Sequence, residues 1–62
     1  MMYRAMYKSR LAKYAGVSLR TLSRWMVRDK SYLESQGVTD RTRLLPAQVV
    51  QYLCEKYCID LE

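Results

Sequence analysis

Arg20, Arg24 and Arg28 recur at every fourth position, and Lys8, Arg10 and Lys13 stand just ahead of them. Guanidinium and ammonium groups at this density do one kind of chemistry well, which is to neutralise phosphate and other anionic oxygens. Residues 1–28 hold Arg4, Lys8, Arg10, Lys13, Arg20, Arg24 and Arg28 with no acidic residue, a charge of +7. Residues 29–62 hold Lys30, Arg41, Arg43 and Lys56 against Asp29, Glu34, Asp40, Glu55, Asp60 and Glu62, or −2, which brings the chain to +5. Charge divided this way implies a polyanionic partner facing the N-terminal half: DNA, RNA or an anionic membrane surface. The plainer alternative is a solvated basic face.

Other chemistries find no support. Histidine is absent, which removes the commonest general base and a common metal ligand. No nucleophile is paired with a base, no two carboxylates form a catalytic pair, and no glycine-rich loop cradles a phosphate. Catalysis, a cofactor and a metal are therefore not expected. Cys54 and Cys58 are too few for a disulfide scaffold and cannot complete a four-ligand zinc site. Their spacing puts them on one helical face as small apolar residues, which suits a reduced, cytoplasmic protein. Trp25 is expected in the core, whereas Tyr7 and Tyr14 flank the basic cluster and stay open.

These side chains need a scaffold, and 62 residues allow one domain. Residues 1–62 are read as that single domain, with 1–7 as a flexible arm. No window approaches the ~18 apolar residues of a membrane span, and residues 1–7 lack a signal-peptide core. Leu11, Ala12 and Ala15 trace an apolar stripe on a helix from about Ser9 to Ala15, with Ser9 as its cap and Gly16 as its end. Ser18 then caps a second helix reaching about Asp29, on which Leu22, Trp25 and Met26 face inward. Two helices joined by Gly16-Val17-Ser18 make a helix-turn-helix. Ser31 to Gln36 reads as a helical turn ended by Gly37. Thr39 to Leu44 alternates as a short basic strand. Pro46 suits a first helical position. From Ala47 to about Cys58, Val49, Val50, Leu53, Cys54 and Tyr57 mark the face of a closing helix.

The stretch from Ser9 through Ala12, Gly16, Val17 and Leu22 to Trp25 resembles the helix-turn-helix of MerR-type regulators and small excisionase-like DNA-binding proteins. Ala12 lies four before the turn glycine, where two helices nearly touch, and Val17 follows that glycine inward. The order helix-turn-helix, basic strand, closing helix is similar to the winged domain of MerR-type proteins. The run from Gly37 through Arg41, Arg43 and Pro46 to Val49 also resembles the ending of a small bacterial family without assigned function. The fold class implied is mainly α, a helix-turn-helix with a short basic wing strand and a closing C-terminal helix. MerR-type regulators continue into a dimerising coiled coil and an effector site, for which this chain has no room.

In such a motif the second helix enters the major groove of double-stranded DNA with its N-terminal residues nearest the bases. The resemblance thus assigns base reading to Ser18, Leu19, Arg20, Ser23 and Arg24. Arg20 and Arg24 offer forks that match guanine O6 and N7. Lys8, Arg10, Lys13, Thr21 and Arg28 are assigned to phosphates, and Arg41 and Arg43 to the backbone or minor groove beside the wing. The implied role is a small transcription regulator or an excisionase-like accessory factor. The alternative is a protein-interaction module using the helix-turn-helix only as a scaffold. Under either reading, self-association (pairing two modules on DNA) or a larger partner is expected to use Tyr32 and Leu33, or Val50, Cys54, Tyr57 and Ile59.

Overall fold

The computed structural model describes residues 3–61. In chain order these form β1 (Met6–Tyr7), α1 (Lys8–Ala15), α2 (Leu19–Val27), α3 (Lys30–Ser35), β2 (Leu44–Leu45) and α4 (Ala47–Tyr57). The protein is thus mainly helical, with one small antiparallel sheet that pairs Met6 with Leu45 and Tyr7 with Leu44.

Three of the four helices stop in the same way, and the stops build the core. Gly16 and Gly37 adopt left-handed φ values of 73° and 80°, and Cys58 does so at 55°. In each case the next amide reaches back five residues: Val17 to the Ala12 carbonyl, Val38 to Leu33 and Ile59 to Cys54. This closure satisfies a terminal carbonyl and turns an apolar residue inward. Val38 and Ile59 are buried, and Val17 packs on the core. That core joins Leu11 and Ala12 of α1, Leu22 and Met26 of α2, Leu33 of α3, Leu45 of β2, and Val49, Val50, Leu53 and Cys54 of α4.

The start of α2 is as read: the Ser18 hydroxyl accepts the Thr21 amide at 3.1 Å. Its end comes earlier. α2 stops at Val27, and Arg28 and Asp29 form a turn into α3, their amides bonded to Trp25 and Met26 carbonyls three residues back. α1 also differs, because Tyr7 and not Ser9 occupies its cap position. The physical reason is the sheet. β1 runs directly into α1, and the Lys8 amide donates to the Arg43 carbonyl at 2.9 Å, so that donor needs no side-chain cap. The segment read as an arm is therefore ordered at Met6 and Tyr7, while residues 1–2 lie outside the described residues.

The wing is shorter than the alternation from Thr39 to Leu44 implies. Thr39 to Arg43 is a turn and loop in which the Thr42 hydroxyl accepts the Thr39 amide and the Thr39 hydroxyl accepts the Arg41 amide. Such local side-chain bonds compete with a strand ladder. Only Leu44 and Leu45 remain as strand. Pro46 caps α4 and does not occupy its first turn.

Two further corrections concern α4. Cys54 is buried but Cys58 is exposed, because the left-handed residue at 58 breaks the helical spiral that would align them. The faces assigned to self-association are also used internally. Leu33, Val50, Cys54 and Ile59 are core residues, Tyr57 stacks on Trp25 with ring centres 4.7 Å apart, and Tyr32 stacks on Tyr52 at 4.2 Å. A chain of this size has few apolar residues to spare for a second interface.

Candidate nucleic-acid interface

With Leu22 and Met26 anchoring α2 on the core, about 100° per residue decides what the rest of the helix presents. Arg20, Arg24 and Arg28 form one exposed row. Leu19, Ser23 and Val27 form a second row beside it, also at every fourth residue. Leu19 is 46% exposed and Val27 is 68% exposed, whereas Ser23 is half-buried. Trp25 flanks the opposite side and lies half-buried against Tyr57.

The ion pairs formed among the described residues are Lys30 with Glu34 at 4.0 Å and Lys56 with Asp29. Neither takes up Arg10, Lys13, Arg20, Arg24 or Arg28. These side chains project into solvent with their donors uncommitted to any carboxylate among the described residues, so their fields add outward. On α1, Arg10, Lys13 and Tyr14 line a shallow depression of about 310 Å³. Arg41 and Arg43 are exposed on the loop that leads into β2.

Not every residue assigned to DNA is equally available. The Lys8 ammonium donates to the Asp40 carbonyl at 3.3 Å, tying the start of α1 to the wing loop. Ser18 and Thr21 are engaged with each other in the cap, their hydroxyls 3.1 Å apart. Ser23 and Val27 both border a groove of about 420 Å³ beside the arginine row, with Lys30, Val38 and Asp40 along it. The fold therefore gathers Leu19, Arg20, Arg24 and Arg28 on one open face, sets Ser23 at its edge, and ties Lys8, Ser18 and Thr21 into local contacts.

What holds α2 in this attitude is a cluster the sequence did not disclose. Asp29 follows α2 with its side chain only 9% exposed. Its carboxylate accepts from the Lys56 ammonium, from the Tyr52 hydroxyl at 2.9 Å and from the Tyr57 hydroxyl at 3.3 Å. Tyr57 also lies 3.1 Å from the Trp25 carbonyl, which its hydroxyl reaches as donor. The hydrogen bond from Lys56 is the main reason that the Asp29 carboxyl sits below its ordinary pKa, with the tyrosine hydroxyls adding to it against partial burial. The same bond raises Lys56. Burial, then the charge of Asp29, raises the Tyr57 phenol. Tyr52 and Lys56 are four apart on α4, but their shared partner is more than twenty residues away, so no local spacing could have revealed it.

Val27 was also missed. The signal was present, since Leu19, Ser23 and Val27 repeat every fourth residue just as the arginines do. Among protein families, curated proteins and solved structures, none matches this chain. No helix among the described residues is long and apolar enough to cross a membrane.

Proposed function

We propose that the chain binds double-stranded DNA in a sequence-dependent way, with α2 as the helix that enters the major groove. The observation that carries this reading is the row Arg20, Arg24 and Arg28. It lies on the open face of the second helix of a helix-turn-helix, without a carboxylate partner among the described residues, in a half-chain that has no acid before Asp29. Arg20 and Arg24 read guanine edges and Leu19 packs beside them, while Arg10, Lys13 and Arg28 meet phosphates. Arg41 and Arg43 contact the backbone from the wing loop. The protein acts by binding and not by catalysis, as a small transcription regulator or an excisionase-like accessory factor.

A protein-interaction role is favoured by one observation, the groove beside α2 with Met26, Val27, Leu33 and Val38 along it. Fluorescence anisotropy with a mixed-sequence duplex separates the two. DNA binding predicts a log–log salt slope of about −0.9 per phosphate neutralised, with roughly four to six phosphates engaged. No binding at low salt refutes the DNA reading and leaves the groove as the working surface.

A further inference from the structure

We infer that α2 reads thymine as well as guanine, with Leu19 and Val27 packing against thymine 5-methyl groups beside the arginine row. The inference rests on α2 being the DNA-reading helix and names what its second row is for.

The argument begins from where the apolar side chains stand. Two of the exposed large apolar residues of the protein, Leu19 and Val27, lie on the short helix α2, and both flank the cations. They share one row with Ser23, offset by a single residue from Arg20, Arg24 and Arg28. The core does not need them, since Leu22 and Met26 already seat the helix. Folding therefore contributes little reason for a leucine and a β-branched valine at solvated helical positions, where valine is a weak helix former.

The chemistry of the partner supplies a reason. In the major groove the base edges are polar except at thymine, whose 5-methyl is the apolar feature a side chain can pack against. The arginine row draws the helix against a polyanion, and that brings the neighbouring row to the same base edges. From Leu19 to Val27 the row runs about 12 Å at 1.5 Å per residue. Base pairs are spaced about 3.4 Å, so the two residues reach positions no more than three or four base pairs apart. The preferred site should therefore hold guanine with thymine within that distance.

The test uses the full chain and the duplex that it selects from a random library. Each thymine in that duplex is replaced in turn by deoxyuridine, which removes the methyl and leaves base pairing intact. Wild-type protein should lose roughly fourfold in affinity at one or two positions, the value of one buried methyl. Val27→Ala should bind the thymine and deoxyuridine duplexes equally at one of them and Leu19→Ala at the other, while Val27→Ile and Arg24→Ala retain the methyl effect. Both alanine variants change exposed side chains, and circular dichroism checks that they keep their helices. No deoxyuridine-sensitive position in the wild type, or sensitivity surviving in both alanine variants, overturns the inference and leaves DNA binding standing. Failure to select any duplex overturns DNA binding and the inference together.

Discussion

The Asp29 cluster makes a prediction in which sign and size can both be worked out. Asp29→Ala removes the acceptor of the Tyr52 hydroxyl and the counter-ion of Lys56 at a side chain only 9% exposed, while the Tyr57 hydroxyl keeps the Trp25 carbonyl. Buried donors left without a partner cost about 1–3 kcal/mol. For a domain of this size each kcal/mol moves Tm by roughly 4–8 °C, so a fall between about 4 and 24 °C is expected. Asp29→Asn separates charge from shape. In the wild type the carboxyl pKa is depressed on folding, chiefly by the hydrogen bond from Lys56. Its stabilisation is therefore fully present above the unfolded value near 3.8 and fades as pH falls through the lower folded value. The alkaline side has the opposite origin. Tyr57 and Lys56 are raised above 10.0 and 10.5, so their stabilisation is intact below those values and is lost as pH rises through the folded ones. Melting followed by circular dichroism from pH 2 to 11 reads both limbs. The stability gap between wild type and Asp29→Asn should be constant from about pH 5 to 9 and should narrow below 3.8. A gap that stays constant down to pH 2 refutes the reasoning, because the carboxylate would then carry no folding-linked charge.

Other expected outcomes follow from single positions. Cys58→Gly should stabilise the protein by about 1 kcal/mol in denaturant titration, because a side chain at φ 55° is strained where glycine is not. Leu53→Ala, at a fully buried position of α4, should cost about 2–5 kcal/mol, a large share of the roughly 3–9 kcal/mol expected for this length, and the variant should be partly unfolded at 37 °C. Arg20→Ala or Arg24→Ala should lose about 1–3 kcal/mol on the preferred duplex and relax its sequence preference. Lys13→Ala should weaken all duplexes alike and reduce the salt slope by about one. Identical behaviour of these three variants on specific and random DNA would refute α2 as the reading helix.

What the sequence determined by itself was everything governed by neighbours within a turn or two. Gly16 and Ser18 marked the stop of one helix and the start of the next, because a left-handed φ and an N-cap hydroxyl are local requirements with few residue types to meet them. The buried stripe of α4 followed from its period, and the arginine row followed from spacing alone. Tertiary structure decided whatever depended on partners far along the chain. Met6 and Tyr7 became a strand because Leu44 and Leu45 came alongside, and that pairing moved the start of α1 to Lys8. Cys58 left the face of Cys54 because the chain turned there to send Ile59 into the core. Asp29 read as a helix end until α4 brought Tyr52, Lys56 and Tyr57 to it. Val50, Leu33 and Tyr57, apolar enough to serve an interface, were taken up by the core. In a chain this short, burying its own apolar surface is the first demand on such side chains. Spacing can show that a residue is apolar and on which side of its helix it lies, but only the packed neighbours determine whether that side meets the protein or a partner.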